Sequence, residues 1–249
     1  MNFKILFNRA LNYFSLKRFL IAAVFLFCAA LFQALYIFFK IPLFFAVLFS
    51  IGCIFLSGLF LLQDLADPKQ NLRELLLHLR VHILYFGLGF SAILLFFMLL
   101  RALAQFILAL QLIPILGSVI YVFFSFLPFV VHFVDTLGLS FFAFLLFFFT
   151  PVFLMRSEYS FWIDLALKKL KADSYLNVRL FIFSAAPFAL ALFMLVKSFN
   201  EAFYAIDISF ISYIVVALIA AAFLSPFLIF FYALAFLCHV HLLKMIEEK

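Results

Sequence analysis

Charge is what this chain has least of. Only 11% of its 249 residues are Asp, Glu, Lys or Arg, against about 25% in an ordinary globular protein. A water-facing surface wrapped around a buried core is therefore excluded. Glycine is scarce at 6 residues, which leaves few places for small-xxx-small helix contacts built on glycine. Tryptophan occurs once and tyrosine 9 times, so an aromatic belt at the headgroup level is thin. The three cysteines, Cys28, Cys53 and Cys238, stand alone in apolar segments. They form neither a disulfide framework nor a metal signature.

Catalytic signatures are missing as well. There is no glycine-rich phosphate loop, no HExxH, no serine nucleophile elbow and no CxxC. No acidic pair sits mid-run to carry protons. No cofactor and no metal ion is expected. His78 and His82 have ligand spacing on a helix, yet a metal site is not expected there. His239 and His241 are two apart near the end of the last apolar run and face different directions, a placement expected at the headgroup level.

What the chain has is apolar length. It is 70% hydrophobic and holds 44 phenylalanines, more than a hydrated surface carries and no burden to a surface facing lipid. Apolar runs of 18 or more residues recur from end to end, the mark of membrane-spanning helices. The first, 19–39, is too long and lacks the cleavage site of a signal peptide, so it reads as a retained span. The second is 42–62, joined to the first by "FKIP" at 39–42, and Pro42 suits its first helical turn. Further spans are read at 82–100, 137–155, 180–196 and 208–238, with Pro187 and Pro226 inside the last two.

Two stretches are too charged to span. In 63–80, Asp67, Pro68 and Gln70 read as a helix start, and Leu72, Leu75, Leu76 and Leu79 recur at helical spacing. In 158–175, Ile163, Ala166, Leu167 and Leu170 line one face, and Asp164 and Lys168 form an i,i+4 pair. Both are expected as amphipathic interfacial helices. A span, an amphipathic helix and a span follow one another at 42–100 and again at 139–196. Duplication explains this, and so does the ordinary wiring of a helical bundle.

The run "QLIPILGSVIYVFFSFLPF", 111–129, decides the number of crossings. If 106–133 spans, there are seven, and the 17 basic residues divide 8 to 9 between the two sides. If 106–155 crosses only once, there are six, and the division becomes 14 to 3. Short connectors obey the positive-inside rule, which favours six crossings with both termini in the cytoplasm. The net charge of +6 is thus topological and no sign of nucleic-acid binding. Pro114, Gly117 with Ser118, and Pro128 then suggest a re-entrant or broken element at 106–133, entered from the outer side.

The expectation is an all-α polytopic membrane bundle, a single helical domain over 1–249. It has six transmembrane helices, seven being the alternative count, and two interfacial helices. A path for a small solute or ion would run beside Arg101, Pro114, Gly117, Ser118, Tyr121, Ser125, Pro128, His132 and Asp135. The alternatives are a non-catalytic structural or assembly subunit, supported by the scarcity of buried polar residues, and a membrane-embedded enzyme acting on lipid. Expected partners are membrane lipids and a second copy or another membrane protein, with the cytoplasmic (inner) membrane as the location. The "ALKKLK" run before a span and "SPFLIFFYALAF" in the last span are not specific enough to name a family.

Overall fold

The computed structural model describes residues 3–66, 72–110, 126–155, 168, 171, 174–203 and 209–247. Among them lie seven α-helices and no strand: α1 Phe3–Leu11, α2 Leu16–Phe39, α3 Leu43–Ala66, α4 Leu72–Ala109, α5 Leu127–Met155, α6 Ser174–Phe203 and α7 Phe210–Glu247. All but α1 are long and apolar enough to cross a membrane, giving six candidate spans. The chain is an all-α helical membrane bundle.

Local chemistry accounts for the helix ends. Ser15 has extended backbone and its Oγ accepts from Arg18 N–H at 3.3 Å, starting α2. Lys40 ends α2 in the left-handed region, with φ 53°, and its N–H returns to the Leu35 carbonyl. Pro42 sits one position earlier than expected. Its carbonyl accepts the first bonds of α3, from Phe45 at 3.0 Å and Ala46 at 3.3 Å. The α2–α3 hairpin is therefore as tight as "FKIP" implies.

Three boundaries differ from the sequence expectation. Gln63–Ala66 complete α3, and 72–80 are the opening turns of α4 rather than a separate interfacial helix. No proline or glycine occurs from Leu72 to Phe86, so nothing stops the helix before it enters its span at Gly87. At 38 residues α4 is about 57 Å long, well beyond a hydrocarbon core of about 30 Å.

The second difference concerns 106–133. Phe106–Ala109 finish α4, and Leu127–Phe133 begin α5. The Phe126 carbonyl accepts from Val130 N–H at 3.2 Å, which puts Pro128 in the first turn, where its missing N–H leaves no bond unmade. Pro128 thus opens a helix and does not break one ahead of Asp135, which lies inside α5. The remainder, 111–125, and the re-entrant expectation with it, lie outside the described residues.

In the third, α6 begins at Ser174, ahead of the expected 180. Of the second amphipathic stretch, Lys168 and Lys171 are helical and exposed, and the rest up to 173 lies outside the described residues.

The helices form two compact units, Met1–His82 with Leu145–Lys249, and Ile83–Phe144. In the first, α2 packs on α3 and α7, and α6, α1 and α3 also pack on α7. Alanines supply the close contacts that glycine is too rare to make. Ala22, Ala29 and Ala34 on α2, Ala46 on α3, and Ala217 and Ala221 on α7 are all buried. From Leu228 to Ala235 every residue of α7 is at most 8% exposed, so the helix is enclosed on all sides over two turns. Phe230 meets Phe7 at 5.1 Å, and Phe231 meets Phe147 of α5 at 5.4 Å.

The contacts also order the ends of this unit. Lys17 and Arg18 at the start of α2 reach Asp64 near the end of α3. Asn177 near the start of α6 meets Cys238 near the end of α7. Phe38 and Phe39, closing α2, meet Phe210 at the start of α7. Helix α1, the end of α3, the start of α6 and the end of α7 therefore share one end of the unit. The α2–α3 turn and the start of α7 lie at the other.

In the second unit Phe142 of α5 packs on Phe90 at 4.8 Å and Phe97 at 6.3 Å, both from α4. Gly138 lets the Phe97 ring approach, for a Cβ there would lie 3.3 Å from it.

Candidate functional site

Three features stand out: two assemblies of polar side chains in the first unit and a largely apolar cleft in the second. The first surrounds Tyr232. Its ring lies against the α3 backbone at Gly58, where an added Cβ would overlap Cε1 and Cζ and sit 2.7 Å from the hydroxyl. The hydroxyl donates to the Ile54 carbonyl at 2.9 Å, and the Thr150 hydroxyl of α5 lies within hydrogen-bonding reach of it. Thr150 itself donates back to the Leu146 carbonyl at 2.6 Å. Ser57, fully buried beside Gly58 in the chain, has an Oγ with no hydrogen-bond partner among the described residues.

Nearer the end of α7, the Cys238 thiol donates to Asn177 Oδ1 at 3.1 Å. Asn177 is fully buried and His239 is 2% exposed. His239 is thus packed inside the helix bundle near the end of α7. Burial of this kind demands hydrogen-bonded partners, and helix-to-helix bonds supply those that Tyr232, Asn177 and Cys238 make. In this cluster they tie α3 and α6 to α7.

The second assembly is ionic. Asp64 of α3, its side chain 10% exposed, receives Lys17 Nζ on Oδ1 and Arg18 Nε on Oδ2, the latter at 2.7 Å. Arg18 also donates to the carbonyls of Asp64 at 3.3 Å and Tyr13 at 2.7 Å. Its guanidinium lies 5.7 Å from the Tyr13 ring centroid. One carboxylate thus fastens the entry of α2 to the exit of α3. On α2 and α3 themselves, Gln33 Nε2 donates to Ser50 Oγ at 2.9 Å. The Ser50 hydroxyl is within reach of the Ala46 and Ala29 carbonyls at 2.7 and 2.9 Å.

The third feature is a cleft of about 170 Å³ between α4 and α5 in the second unit. Leu100, Leu103, Ala104 and Ile107 line one wall, Val130, Val131 and Val134 the other, and Arg101 lies at its side. The lining is otherwise apolar.

Among the residues expected to form a path, only Arg101 is placed with its side chain, on α4 at this cleft. Pro128, His132 and Asp135 are placed on α5 by their backbone alone. Pro114, Gly117, Ser118, Tyr121 and Ser125 lie outside the described residues. Among the described residues no three His, Cys, Asp or Glu side chains gather as a metal site.

Sequence reasoning missed α1, the Asp64 clamp and the Tyr232–Gly58 contact. For α1 a signal existed in Leu6 and Ala10, four apart, which are its buried residues. For the clamp it was a lone acid at the end of an apolar run facing a lone basic pair at the start of another. No family model, no curated protein and no solved structure matches this chain.

Proposed function

We propose that this multi-pass protein is a non-catalytic structural or assembly component of the cytoplasmic membrane, with both termini inside. The observation that carries the reading is the enclosure of α7. A helix buried on every side from Leu228 to Ala235 fills the centre of the first unit, and the polar atoms of Tyr232, Asn177 and Cys238 bind neighbouring helices. Such a body holds its shape against partners and offers water no route through its middle. The orientation rests on the 14-to-3 division of basic residues.

A second reading, passage of a small solute or ion, keeps one observation in its favour. Arg101 borders the α4–α5 cleft, beside helix α5 with His132 and Asp135. An ionisable side chain within a candidate span is a functional-site candidate, and the charge of Arg101 suits an anion.

Flux through purified protein separates the two. In proteoliposomes, the structural reading predicts ion and small-anion leakage equal to that of empty vesicles. Flux above that level, abolished by Arg101→Ala, would overturn it in favour of the path.

A further inference from the structure

We propose that the outward face at the start of α6 binds an anionic phospholipid, with Arg179 as the residue that holds the phosphodiester. Helix α6 has two faces. Asn177, Leu180, Ser184 and Ala191 are buried, and recur at the helical spacing that packs this side on α7. The opposite face carries Tyr175, Arg179, Ile182, Phe183, Ala186 and Leu190, all exposed.

Along that second face the chemistry changes in the order a lipid requires. Tyr175, 76% exposed, stands one turn before Arg179, where an amphipathic ring suits the headgroup layer. The Arg179 guanidinium lies 5.9 Å from the Phe183 ring centroid, which lays a cation along the boundary between polar and apolar surface. Ile182, Ala186 and Leu190 then continue the face deeper into the candidate span Ser174–Leu195, whose first two turns hold Tyr175 and Arg179. A guanidinium fork matches two oxygens of a phosphodiester, and the apolar residues below it match the acyl chains of the same molecule. Lys168 and Lys171, helical and exposed just before α6, add positive field at this end. The charge sign fits an anionic headgroup, and the depth of the apolar part fits a lipid better than a soluble anion. The site is independent of whether the protein is a scaffold or a path.

The test is native mass spectrometry of the full chain taken from phosphatidylcholine vesicles with and without phosphatidylglycerol. The proposal expects phosphatidylglycerol to be retained in preference to phosphatidylcholine. Arg179→Gln should lower that retention about fivefold, and Arg179→Lys should lower it less. The double variant Lys168→Gln/Lys171→Gln, at exposed positions, should also reduce it. Lys40→Asn, in the α2–α3 turn at the other end of the unit, should leave it unchanged. Equal retention of the two lipids, or retention unaffected by Arg179→Gln, would overturn the proposal. So would binding of a soluble polyanion or a partner protein at Arg179 in place of lipid.

Discussion

Tyr232 of α7 rests its ring on Gly58 of α3 and donates its hydroxyl to the Ile54 carbonyl at 2.9 Å. The two residues must be considered together, because the ring occupies the space that any side chain at 58 would need. Gly58→Ala should therefore destabilise the folded protein by about 1–3 kcal/mol through overpacking, despite the better helix propensity of alanine. Tyr232→Phe should cost about 1 kcal/mol for the lost hydrogen bond. Tyr232→Leu vacates the space, so Gly58→Ala with Tyr232→Leu should cost less than the sum of the two. Thermal unfolding in detergent reads all four, and strict additivity would show that the contact is absent.

Asp64 should matter more than either of its partners. Asp64→Asn leaves two cations at a site where the Arg18 side chain is only 17% exposed. A loss of about 1–3 kcal/mol is expected, below the value for a fully buried pair because the site is partly open to solvent. Lys17, 65% exposed, belongs to the class of surface pairs, and Lys17→Ala should cost about 0–1 kcal/mol. Arg18→Ala should fall between the two, since it also gives up the Tyr13 and Asp64 carbonyls. Unfolding midpoints check the order Asp64, Arg18, Lys17.

Glycines separate packed from unpacked surface in a similar way. Gly52 has nothing within 4 Å of an added Cβ, so Gly52→Ala should be neutral or stabilise by up to about 1 kcal/mol. Gly138 faces Phe97, and Gly138→Leu should destabilise by about 1–3 kcal/mol. The second variant tests the α4–α5 contact without touching the first unit.

The spans, the tight "FKIP" hairpin and the even crossing count were legible in the sequence, because they follow from apolar length, a proline and the distribution of charge. Helix boundaries were less so. A charged, amphipathic segment at 72–80 looks like a separate element, yet helical hydrogen bonding runs through it when no glycine or proline intervenes. The polar core was not legible. Tyr232 and Ile54 are 178 positions apart, and Asn177 and Cys238 are 61 apart. Periodicity places a residue on a face, while the partner of that face depends on the bundle's three-dimensional order. In a chain where almost every position is apolar, the hydrophobic pattern hardly distinguishes the face toward lipid from the face toward protein. Of the expected path, Arg101 alone has its side chain placed, while Pro128, His132 and Asp135 have a place on α5 by their backbone.

Thiol chemistry gives a check on the α6–α7 contact. Cys238 is buried and bonded to Asn177, so it should resist a maleimide in the folded protein in mild detergent and react after unfolding. Asn177→Ala should speed its labelling. Rapid reaction of Cys238 in the folded wild-type protein would contradict the packing of α6 on α7.

The central claim is a bundle of six spans whose two ends and 156–179 connector share one side of the membrane. Reporters of sidedness placed at Lys40, Lys168 and the C-terminus test it most directly. The account predicts that Lys168 and the C-terminus report the cytoplasm and Lys40 the opposite side. A reporter at Lys168 found on the same side as Lys40 would contradict it.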